Sequence, residues 1–272
     1  MKSINVFYLD EKKEQIQPEL ERLVKVLKVK GYAFHRILQV EDIEDNGLPI
    51  ITIGGDGTIL KASQVALSCN IPVLGISSGN LGFLAEVKIY DFEKMFQLYL
   101  EGKYFIDKRD FLELSLDNKQ QYALNEVTFR HLHAGMVELD MYLNDVYLTT
   151  YKADGLIIAS STGSTAYNLS AGGPIIFPDT QVMIVTPICP HSLTVRPLVL
   201  SSKDKLRIES HSKKVFAVVD GREEQSVSHG ANVSFSDKQI QFIRFSKHSF
   251  IDGLRSKLNW SGRLPVLNAE TT

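Results

Sequence analysis

At 272 residues and 44% hydrophobic content, the chain carries enough apolar material for one large or two ordinary cores, and two domains are expected. A formal net charge of -2 gives no basic excess to hold a nucleic-acid backbone, so no nucleic-acid partner is expected. Cys69 and Cys189 stand far apart and exclude a disulfide framework or a cysteine-rich zinc site; the apolar start at Ile4 to Phe7 is too short for a signal peptide, and no later run is long enough to span a bilayer.

Ile4 to Leu9 is a continuous apolar run of strand length, and Leu20, Leu23, Val24 and Leu27 recur at helical spacing until Gly31 ends the pattern. Tyr32 to Leu38 reads as a second strand, Glu41 to Asn46 as an acidic solvated loop, and Ile50 to Ile53 as a third strand. After a glycine-rich turn, Thr58 opens a helix whose apolar face is Ile59, Leu60, Ala62, Ala66 and Leu67. Ile71 to Ile76 is a fourth strand, and Asp91 to Gly102 a helix that Asp91 can cap. Strands alternating with helices predict a Rossmann-like α/β domain over residues 1–100, its parallel sheet covered on both faces and its ligand outside the carboxyl ends of the strands.

Near residue 105 the period changes from 3.6 to two. Leu112, Leu114 and Leu116 alternate with Glu113 and Ser115, and Val137, Leu139, Met141 and Leu143 alternate with polar partners. Asn144-Asp145 sits between two such runs as a hairpin turn, and strand-like segments follow at Gly155 to Ala159, Val182 to Thr186, Lys205 to Glu209, Val215 to Val219 and Ile240 to Phe245. Residues 101–248 are therefore expected to form a mostly antiparallel β-sandwich domain. The tail, residues 249–272, is mildly helical in pattern from Ser249 to Trp260 and is expected to return to the first domain. The whole reads as α/β plus all-β, in a cytoplasmic chain without a membrane partner.

The turn Gly54-Gly55-Asp56-Gly57-Thr58 is the organising feature. Glycines at the end of a strand and the start of a helix allow several backbone N–H groups to converge on phosphate oxygens. Asp56 is out of place there, because a carboxylate repels phosphate unless it holds a metal ion or takes a proton from an attacking hydroxyl. A lone Gly-x-Gly pair would be explained as a tight turn with Asp56 as a helix cap. The third glycine of the dinucleotide fingerprint is missing, and no Walker sequence occurs. In Ser161 to Pro174, small residues crowd around one tyrosine: Gly163, Ala166, Ala171 and Gly172 allow a flat ligand to approach, Ser164, Thr165 and Ser170 offer hydroxyls, and Tyr167 can stack on a base. His131 and His133 share a strand face, but no cysteine or carboxylate nearby completes a metal set, and no metal ligand is assigned.

Gly-Gly-Asp-Gly-Thr resembles the signature of a kinase superfamily containing NAD kinases, diacylglycerol and sphingosine kinases, and phosphofructokinases. The 161–174 stretch resembles the T-G-S-T-A-Y-x-x-S-A-G-G-P segment of NAD kinases, which the other branches do not share; a lipid or sugar kinase is the alternative. The resemblance implies magnesium-dependent transfer of the ATP γ-phosphoryl group to the 2′-hydroxyl of the adenosine ribose of NAD, with ATP and a divalent cation, or inorganic polyphosphate as donor. It implies Asp56 as the base, Gly54, Gly55, Gly57 and Thr58 as phosphate ligands, and Asn125, Glu126, Asp154, Thr165, Ala166, Tyr167 and Ser170 as ligands of the dinucleotide. By the same resemblance Lys152 lies near the new 2′-phosphate, Phe83 packs on the glycine turn or ligand, Asp220-Gly221 lies close to the site, and the chain forms a homotetramer or homodimer. One departure is Ser77, where many relatives have Asn.

Overall fold

The structure is a computed structural model that describes residues 2–79, 82–133, 135–212, 214–228, 230–258 and 260. The first half runs β1 (Ser3–Phe7), α1 (Gln17–Val29), β2 (Ala33–Ile37), β3 (Ile50–Ile53), α2 (Asp56–Val65), β4 (Val73–Ser77), β5 (Val87–Lys88) and α3 (Phe92–Leu100). β6 (Phe105–Leu116), β7 (Lys119–Ala123), β8 (Glu126–His131), β9 (Val137–Leu143), β10 (Val146–Ala153) and β11 (Gly155–Ala159) follow. After α4 (Tyr167–Ser170) come β12 (Val182–Ile188), β13 (Leu198–Ser201), β14 (Leu206–Ser210), β15 (Val215–Val219), β16 (Glu223–Ser226), β17 (Ala231–Arg244) and α5 (Ser249–Leu258).

β2, β1, β3 and β4 pair in that order, all parallel. The mostly apolar sequences of β1, β3 and β4 follow from burial on both faces, whereas β2, at the sheet edge, carries His35 and Arg36. Ile4, Val6, Ile51, Ile53, Leu74 and Ile76 pack under Leu20, Leu23 and Leu27 of α1 and Phe92 and Phe96 of α3. Phe7, Ile50 and Val73 face the other way, onto Ile59, Leu60 and Ala62 of α2. Asp91 was expected to cap α3, but its side chain makes no capping hydrogen bond. A 3₁₀ turn, Ile89–Asp91, already feeds the helix, so Asp91 has helical rather than extended backbone.

The antiparallel half is a sandwich, as its period of two requires. One layer is the six-stranded sheet β13-β12-β11-β8-β15-β16. The other is not a separate sheet. β17 pairs antiparallel with β6 and β14, and also in parallel with β4 at Phe242 and Val73. An eleven-stranded sheet therefore runs from the parallel half into the sandwich. A register shift between Phe235 and Gln239 divides β17: Val233 faces the sandwich core, whereas Ile240 and Phe242 join the core under α2. Asn144 and Asp145 take positive φ values of 50° and 66°, as a tight hairpin turn between β9 and β10 demands. Among the described residues no helix is long and apolar enough to cross a membrane.

Candidate active site

β3 ends where its carboxyl end meets the first turn of α2, with Gly54 donating to the Ile76 carbonyl and Gly55 as the extended residue before the helix. The helix begins at Asp56, two residues before the position expected from periodicity. The Asp56 and Gly57 amides at this end have no intrahelical acceptor, whereas Thr58 donates to the Gly55 carbonyl at 2.9 Å; the turn lies at the positive end of the helix dipole, the electrostatic requirement of an anion site. The Asp56 carboxylate turns away from its own helix. Oδ2 accepts from the Phe83 amide at 2.9 Å, and Oδ1 from the Leu84 and Ala85 amides at 3.2 and 3.4 Å. A Cβ at residue 82 would overlap this carboxylate, so Gly82 is what lets the two turns meet. The Lys257 ammonium, from α5, lies 3.4 Å from Oδ2.

The turn that holds Asp56 is itself anchored from behind. Arg244 donates to the Leu84 carbonyl at 3.0 Å, to Glu86 at 3.1 Å and to Asp107 at 3.0 Å. Asp107 also receives both nitrogens of the Arg109 fork, at 2.8 and 2.6 Å, and Arg109 reaches the Thr162 hydroxyl at 3.3 Å. Burial works to raise the Asp107 carboxyl, but the Arg109 and Arg244 guanidiniums outweigh it and leave it below the usual range. A hydrogen-bonded path thus joins the 161–174 segment to the backbone around Asp56. Sequence reasoning missed it. The available signal was Asp107 and Arg109 at i, i+2 on one strand face, and Arg244 closing an apolar run.

On the other side, Asp220 gathers the turn that presents Asn125 and Glu126. Its carboxylate accepts from the amides of Leu124, Asn125 and Glu126 at 3.0, 2.8 and 3.1 Å, and from Gln64 of α2 at 3.4 Å. Gly163 packs on the Asn125 carbonyl, where a Cβ would overlap it, and the Ser160 amide donates to that carbonyl at 2.8 Å. Asn168 is fully buried and donates to the Ser164 and Pro174 carbonyls, so it shapes the loop from within. Ser164, considered as a ligand hydroxyl, is buried and bonded to the Ile176 backbone instead. Thr165 and Ala166 are half-buried, while Tyr167 and Ser170 are exposed. Between α2 and the Asp220 turn lies a pocket of about 490 Å³ that Leu60, Lys61, Gln64, Val65, Asp220 and Arg222 help to line.

Glu126 is buried, and its Oε2 finds no partner among the described residues. Burial first, then the neighbouring Asp220 carboxylate, push its pKa from 4.5 up to about 8, against a backbone hydrogen bond from Tyr167. The folded protein therefore holds a proton that the unfolded chain has lost, and stability falls as pH rises through that window. Glu126→Gln removes this ionisation. The variant is expected to gain stability relative to the parent between about pH 5 and about pH 8, read as urea midpoints at the two values. A difference that does not change with pH would mean that Glu126 ionises like a surface glutamate.

Residues 5–104 match the ATP-NAD kinase N-terminal domain and residues 124–245 the ATP-NAD kinase C-terminal domain. The chain belongs to the NAD kinase family. It is 38% identical to the NAD kinase of Caldicellulosiruptor saccharolyticus over 90% of this chain and 95% of that one, and 40% identical to the NAD kinase of Bacteroides fragilis over 78% and 76%. An NAD kinase from Archaeoglobus fulgidus solved in complex with ATP superposes with a TM-score of 0.78 at 25% identity, covering 93% of this chain and 96% of that one. Yeast NADH kinase complexed with NADH shares the fold, with a TM-score of 0.82 at 23% identity over 98% and 90% of the two chains.

Within this NAD kinase family member, the structure brings Asp56, Gly54, Gly55, Gly57, Thr58 and Phe83 together, and joins Asn125 and Glu126 to the 161–174 segment. It does not bring Lys152 and Asp154 to either group. Lys152 lies on β10 and pairs with Glu138 of β9 at 3.2 Å, and Asp154 is exposed in the turn before β11. Among the described residues neither hydrogen-bonds to Asp56, Asn125 or Glu126. Asn80 and Leu81 of the second glycine-rich turn, and residues 261–272 of the tail, lie outside the described residues.

Proposed function

We infer that this chain is a phosphotransferase that moves the γ-phosphoryl group of ATP to the 2′-hydroxyl of the adenosine ribose of NAD, giving ADP and NADP. The observation that carries the reading is one carboxylate, Asp56, aimed by three amides at the start of a glycine-bounded helix and joined by Asp220, Gln64 and the Arg109–Asp107–Arg244 path to the acceptor segment. Curated relatives named NAD kinase, matched over most of the chain, support the acceptor, and the 161–174 segment disfavours a lipid or sugar.

Gly54, Gly55, Gly57 and Thr58 would hold the triphosphate through backbone dipoles. Asn125 and Glu126 would hold the ribose hydroxyls, and Tyr167 with Thr165, Ala166 and Ser170 the adenine side. Asp56 orients the attacking hydroxyl and takes its proton. A loose transition state changes the attacking hydroxyl little before the phosphoryl group moves, so orientation by Asp56 outweighs early proton removal. Asp56 is the one carboxylate on the loop, which fits a magnesium ion bound mainly through substrate phosphates; that ion would neutralise charge on the triphosphate. Lys152 would lie near the new 2′-phosphate and Asp154 would contact the dinucleotide, in a cytoplasmic homodimer or homotetramer.

The test is a coupled assay for NADP with purified protein, NAD, ATP and magnesium. Product that requires both substrates is expected; ATP consumed with a lipid or sugar but no NADP would overturn the acceptor. Tyr167→Ala, at an exposed position, is expected to raise the KM for NAD by about tenfold, as loss of about 1–1.5 kcal/mol of stacking requires. An unchanged KM removes Tyr167 from the pocket.

A further inference from the structure

The last described helix carries a charge to the phosphate loop. Phe250, Gly253 and Lys257 recur at i, i+3, i+7 on one face of α5, and all three meet Phe83. The Phe250 and Phe83 ring centroids are 5.8 Å apart. Gly253 brings the helix backbone close, since even a Cβ there would come within 3.1 Å of the Phe83 ring. The Lys257 ammonium lies 4.5 Å from the centroid of the same ring and 3.4 Å from Asp56 Oδ2. An aromatic face on one side and a carboxylate on the other restrict a side chain that otherwise has four free torsions.

An exposed lysine–aspartate pair is worth little to stability, and Lys257 is about one-third exposed. Its position is the informative feature. Three backbone amides already orient Asp56, so a fourth donor adds little to geometry. What it adds is a positive charge beside the single negative charge on the loop, at the point where a polyanion must enter. An attacking oxygen held by Asp56 lies about 3 Å from that carboxylate, and the phosphorus about 3–3.5 Å beyond it in a near-attack geometry. The equatorial phosphoryl oxygens then fall within the swing of the Lys257 stem.

We propose that Lys257 is a catalytic residue, whose ammonium neutralises Asp56 in the free protein and turns to the oxygens of the transferring γ-phosphoryl group. This rests on the activity inferred above. In the step, the bond between the γ-phosphorus and the β–γ bridging oxygen breaks, leaving its electron pair on ADP, and a bond from the ribose 2′-oxygen to phosphorus forms. The hydroxyl proton goes to Asp56, and Lys257 keeps its own. The ammonium supplies fixed positive charge to a phosphoryl group that needs neutralisation more than covalent help.

The test compares the parent with Lys257→Met, Lys257→Arg and Lys257→Ala in the NADP assay. Lys257→Met is expected to lower kcat by about 10²-fold with the KM for NAD unchanged, and Lys257→Arg to recover part of the loss. Methylammonium should raise the turnover of Lys257→Ala and leave the parent unaffected, a readout that a change in stability does not produce. In an Asp56→Asn background, Lys257→Met should still lower the residual rate, because the ammonium acts on the phosphoryl group. Parental kcat in Lys257→Met overturns the proposal, as does an effect that disappears in Asp56→Asn, which would make Lys257 a positioning residue only. No NADP from the parent itself would overturn the activity, a result distinct from either.

Discussion

Asp56→Asn is expected to lower kcat for NADP formation by at least about 10²-fold, the ordinary cost of removing a positioned proton acceptor. The contacts around the carboxylate set the rest of the phenotype. Oδ1, which accepts from Leu84 and Ala85, survives in asparagine as the amide oxygen. Oδ2 becomes an NH₂ group facing the Phe83 amide and the Lys257 ammonium, both donors. Two hydrogen bonds are lost, from the Phe83 amide and the Lys257 ammonium, and two donor pairs are opposed, a local cost of about 1–3 kcal/mol. That leaves a protein of ordinary stability folded. Circular dichroism and thermal melting should therefore show a native protein of somewhat lower Tm, while the coupled assay shows little NADP. Turnover near that of the parent would remove Asp56 from the chemistry and leave it a structural tie between α2 and the Phe83 turn.

Arg244→Met is expected to be the most destabilising single substitution discussed. The Arg244 side chain is 3% exposed and joins two carboxylates, Glu86 and Asp107, to the Leu84 carbonyl. Removing one member of a buried ionic cluster leaves the others uncompensated, at a cost of about 3–5 kcal/mol. Glu86 would keep the Phe245 amide at 2.9 Å and Asp107 its Arg109 fork, so collapse should be partial. For a chain of this size the expected fall in Tm is on the order of 10 °C. The same loss frees the Phe83 and Leu84 backbone that aims Asp56, so kcat should fall at temperatures where the variant is still folded. A Tm within a degree or two of the parent would show that the cluster is not what joins the 161–174 segment to the turn around Asp56.

Much of this architecture is legible in order along the chain. The mostly apolar runs of β1, β3 and β4 announce strands buried on both faces, since side chains pointing either way lie beneath packed layers; the polar exception in β1, Asn5, is buried and satisfied by the Glu44 backbone. The alternation in β6 and β9 announces strands with a single buried face. The glycine turn and the 161–174 segment are contiguous motifs, and a contiguous motif can be read without knowing what lies next to it.

The functional network was less legible because its members are contiguous only in space. Apart from the resemblance, Asp220 reads as a plain turn residue until the amides of Leu124, Asn125 and Glu126 close on it. Asp107, Arg109 and Arg244 read as ordinary strand charges until the register of β6 and β17 buries them together. Lys257 lies in a weakly patterned tail. By itself the sequence determined most of the core strands and helices, the two periods, the glycine turn and the 161–174 segment, since each rests on local backbone preference and on which face of an element avoids water. Only the tertiary structure decided that one sheet joins the two halves, that Arg244 braces the turn holding Asp56, and that α5 returns a lysine to it. Periodicity specifies which side of a strand is buried, but strand neighbours and charge partners are selected by packing across the whole chain.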